Sequence, residues 1–132
     1  MNGSVRGERG LALSVWTAVM IPAFIIAVGL GVDLAGHAAA EQEARAVAGQ
    51  AARAATQQLT LTADGPVLNV GAAKRAAVAY VVAAGWDPAV SVVGQRSEVT
   101  VRGRYETSFL GMIGVRSIDV EASSSASAVQ AG

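Results

Sequence analysis

Cysteine is absent from the 132-residue sequence, and histidine occurs once, as His37. Without cysteine the chain has no disulfide framework and no thiolate metal site. A lone histidine supplies only one of the several ligands that a zinc centre needs. We therefore expect neither a metal nor another cofactor.

An excess of charge of one sign is missing as well. Ten basic and ten acidic residues give a formal net charge of zero, and they form no block of like charge. This pattern argues against a nucleic-acid partner. The GxSxG and GxxxxGK[ST] patterns are also absent, and no catalytic constellation accompanies His37, so we expect a protein that is not an enzyme.

What the sequence does contain is one long uncharged stretch, GLALSVWTAVMIPAFIIAVGLGVD, which ends at Asp33. Its apolar part, residues 11–32, would form a helix about 33 Å long, enough to cross a hydrocarbon core of roughly 30 Å. A signal peptide has a shorter apolar region, and a core helix that is apolar all round needs a larger protein around it. We therefore predict a transmembrane helix over 11–32, with the signal peptide and the core helix as alternatives.

The charges that flank this segment predict its orientation. Arg6 and Arg9 precede it, while Asp33, Glu41 and Glu43 follow it. The positive-inside rule places residues 1–10 in the cytoplasm as a leader and the rest of the chain outside a single-pass plasma-membrane anchor. We interpret the three acids as the solvated start of an outer helix.

Four residues within the anchor, together with Asp33 at its outer end, form the predicted anchor and packing set. Pro22 removes one backbone hydrogen bond and favours a kink, which membrane helices tolerate. Gly29 and Gly31 either permit close approach of another helix or simply face lipid. Trp16 is placed to lie near the cytoplasmic headgroups.

The same helix is predicted to continue through residues 33–60, outside the membrane. Its apolar positions recur at spacings of three and four. These positions form the predicted contact face: Ala40, Ala44, Val47, Ala48, Ala51, Ala55 and Leu59. An alanine face buries little area but lets backbones come close, so it packs either against a sheet of its own chain or against other copies.

Residues 61–132 are predicted to form a small head. Asn69 is a candidate N-cap and Gly85 a candidate C-cap for a second helix. Three later runs alternate apolar and polar residues: 89–94, 97–107 and 115–129. Such alternation predicts an antiparallel sheet with one covered face, joined by an apolar connector over 108–114. The predicted fold class is therefore α+β, with a long N-terminal helix, a second helix and a three-stranded sheet.

The segment RGERGLALSVWTAVMIPAFIIAVGLGVD resembles the N-terminal part of TadE/TadG-like proteins of the tight-adherence (Flp-type) pilus system. The likeness rests on a glycine after basic residues, a small and apolar run, and a V-x-x-A-x-x-x-P pattern at Val15, Ala18 and Pro22. The alanine-rich helix and RYETSFLGMIGVRSIDVEASSSASA resemble actinobacterial members.

This resemblance implies a membrane-anchored, non-enzymatic subunit that helps to build a surface pilus. It also implies cleavage by a prepilin peptidase between Gly10 and Leu11. Trp16 stands where the family usually has a glutamate, a residue that can pair with a neighbouring subunit's new amino terminus. The expected partners are the lipid bilayer, other pilin-like subunits including copies of this chain, and the peptidase.

Two functions from different classes follow from these observations. The first is a minor-pilin or pseudopilin-like structural subunit of a tight-adherence type pilus or a related secretion apparatus. The second is a single-pass anchored binding module, which captures a protein or envelope ligand without assembling. An exposed strand edge near 123–128 would suit strand addition in the second case.

Overall fold

A computed structural model describes residues 2–128 of the chain, with side chains from residue 7 onward. The elements in chain order are α1 (Asn2–Thr56), β1 (Leu59–Thr62), β2 (Gly65–Leu68), α2 (Val70–Ala83), β3 (Asp87–Val93), β4 (Arg96–Glu106), a 3₁₀ helix (Leu110–Ile113) and β5 (Ser117–Ser127). The predicted α+β class is confirmed. The ends of the predicted leader (1–10) and head (61–132), and the side chain of Arg6, lie outside the described part.

The first helix runs without interruption for 55 residues, about 80 Å. Pro22 lies within it, and the helix continues on both sides of the proline. Two hydroxyl groups near its start donate back to the preceding turn, Ser14 to the carbonyl of Gly10 at 2.9 Å and Thr17 to that of Leu13 at 2.8 Å. These polar side chains are therefore satisfied within the helix itself.

The predicted outer end of this helix is wrong by several residues. The helix ends at Thr56, and Leu59 is the first residue of β1, where it pairs with Leu68 and keeps 49% of its surface exposed. Leu59 is therefore not part of the helical contact face. The reason is the β1–β2 hairpin next to the helix end, which turns at residues 63–64 and enters β2 at Gly65, whose φ of 116° suits glycine.

The last three strands form one antiparallel sheet in the order β3-β4-β5, with β4 in the centre. Its inner face buries four small or branched side chains: Val99, Val101, Val120 and Ala122. Its outer face carries exposed ion pairs, Arg102 with Glu121 at 3.3 Å and Arg104 with Asp119 at 3.5 Å. Such pairs contribute at most about 1 kcal/mol each, so their main effect is to keep this face in water.

The inner face of the sheet is covered by α2 and by the C-terminal half of α1. The N-cap prediction for α2 is confirmed, because the Asn69 side chain accepts from the amide of Ala72 at 3.0 Å. The helix is capped at its other end by Ala84, and the next residue, Gly85, takes a φ of 86°. A glycine is suited to this left-handed position after the last turn.

The alanine-rich face of α1 packs against its own head. Its fully buried members are Ala44, Ala48, Ala51, Ala52 and Ala55, with Val47 nearly so and Ala40 partly buried against them. Short side chains let the α1 backbone come close to the sheet and to α2. Of the two predicted partners for this face, the structure shows the sheet and helix of the same chain.

Candidate functional site

The exposure of α1 changes abruptly along its length. Every residue from 7 to 28 is exposed, and Gly29 is the first one that is buried. The most apolar 18-residue window has a mean hydropathy of 2.3, so this helix is long and apolar enough to cross a membrane. The head therefore begins to cover α1 only at its eighth turn.

The contacts that cover this turn form what we name the exit junction. It consists of residues 29–37 of α1 together with Tyr105 and the connector, residues 107–116, which joins β4 to β5. The last pair of the β4–β5 ladder is Glu106 with Ser117, so the connector leaves the sheet at the end that lies beside α1. The 3₁₀ helix occupies its middle.

Asp33 is the central residue of the exit junction. Its carboxylate is fully buried and accepts three backbone hydrogen bonds from the connector. The donors are the amides of Ser108 at 2.7 Å, Phe109 at 3.0 Å and Leu110 at 2.6 Å. Burial raises the pKa of this carboxyl and the three N–H groups lower it, and the balance leaves the pKa below its ordinary value. The interpretation of Asp33 as a solvated acid is therefore wrong, because its side chain caps the connector.

Two glycines on the same face of α1 accommodate aromatic rings of the head. A Cβ atom added at Gly29 would lie 2.6 Å from Cγ of Phe109, and one added at Gly36 would overlap the hydroxyl of Tyr105. Gly31, in contrast, has nothing within 4 Å of such an atom. Gly29 thus permits close approach of a ring from its own chain, and Gly31 makes no contact of this kind.

His37 lies one helical turn beyond Asp33 and completes the junction. Its Nε2 atom is 3.3 Å from the carbonyl oxygen of Asp119, and because a carbonyl only accepts, this nitrogen is the donor. The imidazole also meets the Tyr105 ring edge to face, with 6.5 Å between ring centres. The one histidine of the chain therefore has a positioning role between α1 and β5.

An apolar groove of about 310 Å³ lies between α1 and the connector. Its walls are Ile25, Ile26 and Leu30 on the helix and Phe109, Leu110, Met112 and Ile113 on the connector. Met112 and Ile113 keep 84% and 76% of their surface exposed. Apolar groups of the head therefore lie beside the apolar half of the helix.

The other predicted site residues lie along the uncovered half of α1. Gly10, Leu11, Trp16 and Pro22 are all exposed and do not contact the head. Of the predicted anchor and packing residues, Asp33 and Gly29 are the two that contact the connector. Within the part of the chain that the structure describes, no three histidine or carboxylate side chains converge as a metal site would require.

Comparison with known proteins supports the predicted resemblance over α1. Residues 10–58 match the family model of TadE/G-like Flp pilus-assembly proteins. This segment is TadE/G-like. The match covers most of the uncovered half of the helix, the α1 side of the exit junction and the alanine face, and the matched family is described as one of Flp pilus assembly. The TadE/G-like family is structural rather than catalytic. No curated protein and no solved structure matches the chain.

Gly36 and the capping role of Asp33 are not among the features predicted from the sequence. Residues 29, 33, 36 and 40 follow the spacing of three and four that the alanine face shows further along, so they extend the same stripe toward the N-terminus. Because glycine and aspartate do not count as apolar residues in such a pattern, the predicted contact face begins at Ala40. A search for small residues at helical spacing would have found it.

Proposed function

We propose that this chain is a membrane-anchored structural subunit, minor-pilin or pseudopilin-like, of a tight-adherence type pilus or a related secretion apparatus. The observation that carries the proposal is the division of α1 into an apolar, uncovered half over 7–28 and a half held by the head from Gly29 onward. An exposed apolar helix of this length is unfavourable in water and fits a hydrocarbon core of about 30 Å. The TadE/G-like match over 10–58 supports the pilus-assembly setting.

The proposed orientation places the N-terminus in the cytoplasm and the head outside the membrane. Arg6 and Arg9 stand on the N-terminal side of the span, and the charged residues that first follow Asp33 are acidic, Glu41 and Glu43. Basic residues are retained on the cytoplasmic side during insertion. The plasma membrane is then crossed once, by α1.

The proposed partners are the bilayer and other pilin-like subunits, copies of this chain included. Because the alanine face is already covered by the head, contacts with other subunits have to use residues 7–28 or the outer surface of the head. The exposed Gly31 adds a small residue at the boundary between these two regions.

Processing by a prepilin peptidase between Gly10 and Leu11 is part of this proposal. Both residues are exposed, and nothing from the head lies near Gly10. The cut would leave Leu11 as the new amino terminus. With Trp16 in place of an acid, the new amino group has no carboxylate from a neighbouring copy at that position, so subunit contact would rest on apolar packing.

Two measurements on cells that express the native gene test the proposal. We expect the protein in the membrane fraction and in sheared filaments, and mass spectrometry should find a mature chain that starts at Leu11. A chain that keeps Met1 would contradict the cleavage alone. A start near His37 or Ala40, or a freely soluble full-length chain, would contradict the anchor itself.

One observation favours the second candidate, an anchored binding module. The strand β5 lies at the edge of its sheet, and within residues 2–128 no other strand pairs with its outer side. A free edge accepts an added strand from a partner. A membrane-retained chain that co-purifies with one soluble protein and is absent from sheared filaments would favour this function over the first.

A further inference from the structure

The connector exposes large apolar side chains in a continuous patch. Phe109, Met112, Ile113 and Val115 keep 39%, 84%, 76% and 44% of their surface exposed. The patch is continuous with the uncovered half of α1 across the groove at Ile25, Ile26 and Leu30. A contiguous apolar surface of this kind marks a contact with lipid or with another protein.

The position of the connector along α1 overlaps the predicted span. The connector is fixed to α1 at Gly29 and Asp33, and its groove reaches back to Ile25. From Val32, where the span is predicted to end, Ile25 is about 10 Å deeper along the helix axis. One leaflet contributes roughly 15 Å of hydrocarbon, so the connector lies at the depth of the outer-leaflet acyl chains.

The aromatic residues of the chain agree with this placement. Trp16 lies near one end of the span, and Tyr105 packs over Gly36 near the other. Aromatic side chains favour both membrane interfaces. Arg116, the last residue of the connector, is exposed and lines a polar groove with Glu106 at the same end of the sheet.

Most backbone amides of the connector are hydrogen-bonded within the protein. An unpaired N–H group costs several kcal/mol in hydrocarbon, about the cost of losing its hydrogen bonds to water. The amides with a partner inside the protein are those of Thr107, Ser108, Phe109, Leu110, Met112, Gly114 and Val115. The Thr107 hydroxyl also donates, to the carbonyl of Val115. Pairing of these amides lowers the cost of placing this part of the connector against hydrocarbon.

We propose that the connector is a second membrane-contacting element, which inserts its apolar side chains into the acyl region of the outer leaflet beside α1. Asp33 and Gly29 fix it to the span, so the head contacts the bilayer at two points and cannot rotate freely about α1. The proposal rests on the membrane anchor of the proposed function. Lipid fits the groove better than the helix of a second copy does, because tight helix contacts use small residues and the walls here are Ile, Leu, Met and Phe.

The absence of native cysteine allows the insertion to be tested with single-cysteine variants of the full chain. Each of three variants, Ile113→Cys, Phe24→Cys and Leu61→Cys, is labelled with an environment-sensitive nitrobenzoxadiazole dye. All three positions are exposed, so labelling disturbs no packed contact. The proteins are reconstituted into phosphatidylcholine and phosphatidylglycerol vesicles, with and without lipids that carry a nitroxide on the acyl chain.

We expect the dye at Ile113 to be quenched by the acyl nitroxide to an extent comparable with the dye at Phe24, and several-fold more than the dye at Leu61. Its emission should be blue-shifted relative to that of the Leu61 variant, and aqueous iodide should quench it weakly. The Leu61 dye, on the β1–β2 hairpin, should show the opposite behaviour.

Three other outcomes are decisive. If Phe24 is quenched by the nitroxide and Ile113 responds like Leu61, the insertion is refuted and the anchor stands. If Phe24 is not quenched, the anchor fails and the insertion fails with it. If the Ile113 dye is shielded from both quenchers and unlabelled Ile113→Cys chains form disulfide dimers in the vesicle, a second copy covers the groove and the lipid contact is refuted.

Discussion

Ala48 provides a direct test of how the head is held to α1. Its side chain has no exposed surface, and it lies in the middle of the face that contacts the sheet and α2. Ala46, two residues before it, is exposed. Substitution of each alanine by leucine therefore adds the same three carbon atoms to the same helix, once inside the packed region and once outside it.

The expected cost of Ala48→Leu follows from overpacking. Extra methylene groups in a filled core force side chains and backbone to shift, at about 1–3 kcal/mol. For a head of this size, each kcal/mol lowers the melting temperature by about 4–8 °C. We therefore expect a decrease of roughly 5–20 °C. Ala46→Leu is a surface change worth at most about 0.5 kcal/mol, so its melting temperature should stay within roughly 4 °C of the parent protein.

The assay is thermal unfolding of the full chain in detergent micelles, followed by near-ultraviolet circular dichroism. Trp86 reports on the head, because its ring packs over Gly103 of β4. If the two leucine variants melt at the same temperature, the packing of the alanine face described above is wrong. If Ala48→Leu changes only the oligomeric state, as measured by light scattering, the face is a contact between copies.

Three further predictions concern the junction and the core. Gly29→Ala should destabilise the head, because the added methyl would meet the Phe109 ring, whereas Gly31→Ala should be neutral or stabilising by up to about 1 kcal/mol in the same melting assay. Because the pKa of Asp33 is lowered on folding, its ionised carboxylate stabilises the head at every pH above the ordinary pKa of 3.8, and this stabilisation is lost as the pH falls through the lowered value. In melting curves recorded from pH 6 to pH 2, the Asp33→Asn variant should lack this pH-dependent decrease in melting temperature. A variant with the same pH profile as the parent protein would contradict the capping role. Val101→Ala removes two methyl groups from a fully buried site and should lower the free energy of unfolding by about 2 kcal/mol. Val93→Ala, at a side chain that is 74% exposed, should lower it by less than about 0.5 kcal/mol. Equal decreases for the two variants in urea titrations would contradict the assigned core.

Local signals were enough to predict the second helix and the sheet. The N-cap at Asn69 and the glycine at 85 define α2 within two residues, because capping chemistry depends only on nearby backbone groups. The alternation within 97–107 also predicted that one face of this strand is covered, and Val99 and Val101 are buried on that face. Period-two patterns of this kind are set by which face of a strand is covered.

The exit junction could not be predicted in the same way. Asp33 is separated from its hydrogen-bond donors by 75 to 77 residues, and a pattern within a short window carries no information about such a contact. Its surroundings in the sequence, next to an apolar run and before Glu41 and Glu43, suggest a solvated acid. The end of α1 was misplaced for a related reason, since the hairpin that replaces the helix at Leu59 depends on pairing with Leu68.

The stripe of small residues on α1 explains why the head can lie so close to the span. From Gly29 to Ala55 the buried positions of α1 carry only glycine, aspartate, alanine and one valine, and these short side chains let the head approach the helix backbone. Because this face is used inside the chain, it is not available for assembly. If the chain enters a filament, as we propose, the contacts between subunits use residues 7–28 or the outer surface of the head. Contacts made by the large apolar side chains of 7–28 are loosely packed, so they tolerate conservative substitutions there. Leucine scanning of 12–28 should accordingly leave filament incorporation intact at most positions, and a sharp loss at many of them would show that a specific helix contact exists in this segment.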